Sequence, residues 1–286
     1  GTEVRLQHSA IVAEDEQNIA VESLVIRGID MPYLPETEGF KQAGIHVVNC
    51  KQVAVRNVAV HHWNGDGFSV QGGDGATIAQ CIATHNNGHG FHPGTGLRNA
   101  EFVDLTSLHN ASDGLYYCWH NKNVNVRRSN LSDNGRHGVG GLGNPGDHNN
   151  TVEDCLVERN GAIGIYLFGG GNTNNIVRRN TVRDNSRLKP GAWPGILITA
   201  TSKEAARKNT VEDNVVESTL DQPTQWIGIE ERAAASPNKD GALMLADENR
   251  IIGNKCQGHK TSDIVLCGPH TVEQDNSGKV IRNARE

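Results

Sequence analysis

His89, His92, Tyr116, Arg136, His137 and Tyr166 recur at intervals set by one short repeat, and together they hold the groups needed to move a proton. Imidazole titrates near neutral pH, phenol donates a proton, and guanidinium offers a fixed positive charge to a developing anion. Trp119 and His120 follow as a sugar-stacking platform, and Glu230 and Arg232 as further substrate-binding residues. A lone surface histidine is ordinarily solvated, and His61, His148, His259 and His270 are read that way. His85 and His109 are assigned to turns.

The elements that must position these residues are given by glycine. Gly44, Gly67, Gly90, Gly114, Gly138, Gly164, Gly195 and Gly228 each precede a short apolar strand, with spacings of 23, 23, 24, 24, 26, 31 and 33 residues. Most of these strands alternate apolar and variable residues, the period-2 mark of one buried face. Asn86, Asn110, Asn134 and Asn160 lie four residues before their glycines. Asn150, Asn175, Asn209 and Asn249 open strands elsewhere in the coil, each followed five residues later by Cys155, Asn180, Asn214 or Asn254. Asn tolerates the left-handed region and pairs its amide with a counterpart one coil away. No helical period persists. Short strands at this repeat bury their apolar face only by stacking, so the expected fold is a right-handed parallel β-helix of about nine coils. Residues 1–286 are read as one domain, about 45 Å long from the spacing of stacked strands. The first clear coil begins near Asn18, so a missing N-terminal cap, or a partner covering that end, is expected. Residues 30–42, 187–193, 201–208, 220–226 and 233–247 read as insertions, the places where a solenoid carries function.

In this register the position after each glycine is buried, and the next (+2) is expected to face solvent, as is +4. The +2 column holds His46, Ser69, His92, Tyr116, Gly140, Tyr166, Leu197 and Glu230; the +4 column includes Cys118 and Arg232. Asp66, His89, Asp113 and His137 stand just before their glycines. Asp66 and Asp113 are weak candidates for Ca²⁺, with turn capping the simpler role, and no other cofactor is expected. The six cysteines show no metal spacing; Cys81 and Cys155 read as free and buried, and Cys256 with Cys267 is the one pair close enough in sequence to suggest a disulfide.

A net charge of −6 argues against a general nucleic-acid binder, and no apolar run is long enough to cross a membrane as a helix. An anionic polymer is still compatible, because a local basic groove can sit on an acidic protein.

Residues 86–142 resemble the catalytic module of mannuronan C5-epimerases, within the pectate-lyase-like β-helix superfamily. The chain reads Asn87-Gly88-His89-Gly90-Phe91-His92-Pro93-Gly94, then Asp113-Gly114-Leu115, then Asn134-Gly135-Arg136-His137-Gly138. Those enzymes carry Tyr-Gly-Phe-Asp-Pro-His, Asp-Gly-Phe and Arg-His-Gly-Phe on similar spacing. Their catalytic Tyr falls on His89, their first Asp on His92, their His on Gly94 and their second Asp on Cys118; Arg136 and His137 are kept. The resemblance implies a secreted or periplasmic enzyme that removes the C5 proton of a uronate-containing polysaccharide, as lyase or epimerase. In that chemistry it implies His92 or Tyr116 as base, His89 or Tyr166 as acid, and Arg136 with His137 as the neutraliser of the substrate carboxylate. Two other readings stay open. One is a glycoside hydrolase using Glu230 or Glu231 with Asp66 or Asp113; the other is a non-catalytic glycan-binding solenoid.

Overall fold

A three-residue strand cannot hold itself, so each coil of this chain takes its backbone partners from the coils above and below. The computed structural model describes residues 9–29, 42–171 and 173–283, and its strands form two long parallel sheets. It is a right-handed parallel β-helix. The first sheet has eleven strands among the described residues, from Ile11–Glu14 through Phe91–Pro93, Leu115–Tyr116 and Ile165–Leu167 to Val280–Arg282. That is more than the nine or so coils expected, because Ile11–Glu14, Ser262–Leu266 and Val280–Arg282 stack without a glycine before them and escape a glycine-based count.

Register is held along the core, with one shift between Val139 and Leu142. Ile45 pairs with Phe68, Phe68 with Phe91, Phe91 with Leu115, and Leu115 with Val139. The column continues through Ile165, Ile196, Ile229 and Ile264. All are buried, and the Phe68 and Phe91 rings stack at 4.7 Å. The second sheet, of seventeen strands, closes the other side of the coil. On its outer face the arginines are answered coil by coil: Arg128 by Asp104 at 2.9 Å, Arg159 by Asp133 at 2.9 Å and Arg179 by Asp154 at 2.8 Å. Its positive charge is thereby answered within the fold.

The Asn ladders are present, with one difference from expectation. The left-handed residue is the one before each ladder Asn: His85, His109, Asp133 and Arg159 have φ of 54–55° and precede Asn86, Asn110, Asn134 and Asn160. The turn residue swings the chain, and the Asn then points into the stack. Its Nδ2 donates to the next Asn Oδ1, at 2.9, 3.0, 3.1 and 2.9 Å from Asn86 through to Asn185. His85 and His109 therefore belong to the turns, and their rings meet on the surface at 4.9 Å with a tilt of 40°.

All six cysteines are free, so Cys256 and Cys267 form no disulfide. Of the insertions, 30–42 lies outside the described residues apart from Gln42. The others flank the first sheet, and Ala234, Leu243 and Met244 pack on Ala200 and Ala205 as a small second cluster.

Asn134 is the sharpest test of the ladder. Replacing it with Ala removes the buried acceptor of the Asn110 N–H and Nδ2 and the donor to the Ser107 carbonyl, while Asn160 Oδ1 keeps the backbone N–H of residue 134. A loss of about 3 kcal/mol in urea unfolding is expected, against less than about 1 kcal/mol for Asn125→Ala, whose amide bonds a part-exposed Glu101.

Candidate functional site

The residue that leads into each glycine folds back over the strand of its own or a neighbouring coil. This corrects the expected solvent face: His46, Ser69, His92 and Leu197 are buried, and Tyr116, Tyr166 and Glu230 are half-buried. Position 140 shows the cause. A Cβ there would lie 2.3 Å from Asp113 Oδ2 and 3.3 Å from the His137 ring, so glycine leaves the room that Asp113 occupies.

The leading residues alternate between Asp and His, and each accepts the backbone N–H of the next coil. Asp66 Oδ1 accepts the His89 N–H at 2.8 Å; His89 Nδ1 accepts that of Asp113 at 3.3 Å. Asp113 Oδ1 accepts that of His137 at 2.9 Å, and His137 Nδ1 that of Ile163 at 3.2 Å. A ring nitrogen that accepts carries no proton, so His89 and His137 hold theirs on Nε2 when neutral. Turn capping by Asp66 and Asp113 is thus real, but each also holds a cation. Asp66 Oδ2 accepts the Nδ1–H of His92 at 2.7 Å. Asp113 takes Arg136 in a two-point fork, through Nε at 2.7 Å and through Nη2.

The six candidate catalytic residues form one contiguous array. His89 stacks on Tyr116 at 4.6 Å, His92 meets Tyr116 edge-on at 5.3 Å, and the Arg136 guanidinium lies 5.5 Å over the same ring. His137 and Tyr166 follow at 5.5 Å. Next to His137 and Tyr166 opens a cleft of about 350 Å³, walled by Phe168, Trp193, Thr199 and Arg232. Trp193 comes from insertion 187–193, and Ala233 and Ala235 from the last insertion, so inserted loops build its sides. Arg232 and Glu230 form a two-point pair at 2.7 and 2.8 Å. Trp119 and His120 are exposed past the end of their strand and do not line the cleft. His259, expected in solvent, has a buried side chain bonded to Asp263 at 2.8 Å.

Electrostatics revises the expected roles. Burial opposes charge on His92, yet its hydrogen bond to Asp66, followed by the influence of the Cys118 sulfur, raises it to about 9. His92 is a cation at neutral pH and does not act as a base. Burial would raise Asp66, but His89 and His92 hold it low; Asp113 is held low against burial by Arg136 and His89. Burial lowers His89, against the pull of both Asp, and pushes His137 to about 4, helped by the Arg136 charge, so His137 is not a neutraliser. Burial also raises Tyr116 and Tyr166, keeping both as donors. Six candidates therefore supply donors and charge but no base.

One group on the same face keeps an available lone pair. Cys118, at +4 in the Tyr116 coil, donates its N–H to the carbonyl of Pro93, next to His92, at 2.9 Å, and its sulfur lies 3.3 Å from Thr95 Oγ1. Burial works against its ionisation, but His92 and Thr95 hold the thiol below its ordinary value. Its position in the +4 column was the available sequence signal. Phe168, Trp193 and the charge-holding parts of Asp66 and Asp113 also went unassigned, since no repeat spacing marks contacts made from loops or between coils.

Asp66, His89 and His92 each bring one donor atom within 4.8 Å of the others, which invites a metal ion. The donors are already engaged. Both Asp66 oxygens accept hydrogen bonds, His92 carries two protons, and His89 Nδ1 accepts the Asp113 N–H. A transition-metal ligand must be deprotonated with a free lone pair, so this set does not fit one.

Histidine NMR titration tests the charge assignment. His92 should stay protonated until about pH 9, and His137 should stay neutral down to about pH 4. Because His137 has a lower pKa folded than unfolded, its contribution favours unfolding progressively as pH falls from 6.5 towards 4. A His92 resonance titrating near 6.5 would refute the assignment.

Comparison with known proteins bears on the fold and the family. No curated protein matched the sequence. Among solved structures, the chain is similar to the A-module of the Azotobacter vinelandii mannuronan C-5 epimerase AlgE4, with TM-score 0.57 and 16% identity over 90% of this chain and 78% of that one. It is also similar to an alginate lyase from Paenibacillus sp. str. FPU-7, with TM-score 0.61 and 11% identity over 91% and 98%. The periplasmic alginate epimerase AlgG gives TM-score 0.53 and 13% identity over 84% and 47%. These likenesses establish the β-helix. The sequence model of the family described as periplasmic copper-binding protein (NosD) matches residues 93–284, well over half of the chain, and the chain belongs to that family.

Proposed function

We propose that this chain is an extracytoplasmic, polysaccharide-acting β-helix enzyme whose substrate contains uronate residues, and that it works by proton transfer at C5. The observation that carries the reading is the cleft beside His137, where Tyr166, Phe168 and Trp193 offer apolar ring faces and Arg232 offers a cation. Sugar rings present axial C–H faces to aromatic rings, and guanidinium is suited to carboxylate. The cleft is lined by His137, whose sequence neighbour Arg136 lies over Tyr116, so a bound chain would run from an aromatic platform past His137 towards the donors. Arg136, held by Asp113, would face the carboxylate as enediolate charge develops; Tyr116 and the Nε2–H of His89 would supply protons. The alginate epimerases and alginate lyase that share the fold act in this substrate class by their names. AlgG and the NosD family are described as periplasmic, which supports a location outside the cytoplasm.

Two alternatives weigh less. A hydrolase needs one carboxylate free to donate and another to attack. Here Asp66 and Asp113 are each tied to a cation, and Glu230 is paired with Arg232. Copper, named in the family's description, finds its densest donor set in Asp66, His89 and His92, and that set does not fit it for the reasons given above; no step is drawn through the metal.

Incubation with alginate, pectate and glycosaminoglycans should give either ultraviolet absorbance from an unsaturated product or a C5 inversion visible by NMR. Arg232→Ala should weaken oligouronate affinity about tenfold, as expected for losing one charge-assisted hydrogen bond. Absence of both signals across the panel, with affinity unchanged by Arg232→Ala, would sink the proposal.

A further inference from the structure

We propose that Cys118 is the residue that takes the C5 proton, with His92 and Asp66 as its positioning residues. The inference rests on the uronate reading above. Its ground is a line of contacts across successive coils. Asp66 accepts the Nδ1–H of His92 at 2.7 Å, the Cys118 N–H donates to the carbonyl of Pro93, the residue after His92, at 2.9 Å, and Thr95 Oγ1 lies 3.3 Å from the sulfur. A carboxylate that fixes an imidazolium, which in turn faces a sulfur, is the arrangement that ionises a thiol.

The other cysteines supply the contrast. Cys81 is pushed up to about 11, and Cys155, Cys256 and Cys267 to about 12, by burial without a cation beside them. Cys118 moves the other way and is only partly buried. The groups facing it are His92 from the preceding coil, Tyr116 from its own strand and Asp147 from the following turn. Burial raises Asp147 to about 8, so near neutral pH it is largely uncharged and adds little repulsion. Tyr116 is likewise neutral.

The step balances with no co-reactant. The C5–H bond breaks, the proton goes to Sγ, and the electron pair spreads into the neighbouring carboxyl group as an enediolate, opposite Arg136. Return of a proton to the other face of C5, from Tyr116 or His89, completes an epimerisation. Alternatively, the pair forms a C4–C5 double bond and expels the glycosidic oxygen, which takes a proton from Tyr116 or His89 as the C4–O bond breaks, completing a lyase reaction. In either case Cys118 then gives its proton to solvent and the donor takes one back from it.

Two measurements on the full chain separate this inference from the reading beneath it. Iodoacetamide labelling, followed by peptide mass spectrometry across pH, should show Cys118 reacting with a midpoint below the roughly 8.5 of a free thiol. His92→Gln should move that midpoint upward. An ordinary midpoint, indifferent to His92→Gln, overturns the positioning role without touching the uronate reading. In D₂O, the unaltered chain should exchange the C5 proton of an oligouronate, and Cys118→Ser should cut that exchange at least a hundredfold, within the range for a lost general base. Exchange retained in Cys118→Ser overturns Cys118 as base. No exchange in the unaltered chain overturns the uronate reading itself, and the base role with it. Unfolding midpoints measured alongside distinguish either loss from misfolding.

Discussion

Parallel strands that share one register give every side chain a counterpart one coil away, and nearly everything in this molecule follows from that repeat. Backbone hydrogen bonds run from coil to coil, so each coil must match its neighbours residue by residue. The ladder amides exploit the match: a carboxamide presents both donor and acceptor along the stack, and Asn86 through Asn185 form one chain inside the wall. The same repeat makes the site. Residues that are remote in sequence become neighbours at about strand spacing, and three coils suffice to bring Asp66, His92 and Cys118 into one line.

Much of the architecture was legible because the repeat leaves marks in composition. Glycine before each strand, Asn before each glycine and alternating apolar residues fix the coil, and they put His89, His92, Tyr116, Arg136, His137 and Tyr166 on one face. The marks fail where the coil is irregular. Three strands of the first sheet lack the glycine, so the coil count came out short. Alternation distinguishes two faces of a strand, but it does not say whether the outer face is covered. At His92 and Ser69 it is, because Asp66 lies against the first and Gln71 against the second.

Charge was the least legible feature. A histidine in a sequence suggests a base, yet what decides its state is the partner supplied by the next coil. His89 and His92 are three residues apart and differ in kind: Asp66 gives His92 a carboxylate at Nδ1, whereas the backbone gives His89 an N–H at the same atom. The first favours the imidazolium and the second the neutral ring. No spacing rule carries that information, because it depends on which end of each partner points inward.

Counting charge shows why the donors outnumber the acceptors on this face. Two buried carboxylates, Asp66 and Asp113, are matched by two cations, His92 and Arg136, and the pairs are in contact. A third proton on His89 or His137 would leave buried positive charge unanswered, which is the condition that keeps both rings neutral. Their lone pairs at Nδ1 are consumed by backbone N–H groups, so neutrality does not make them bases. The phenols are protonated for the same reason of burial. What such a surface can accept is a proton at sulfur and a negative charge at Arg136. That combination suits a carbon acid whose carboxylate must be held while its neighbouring C–H is broken.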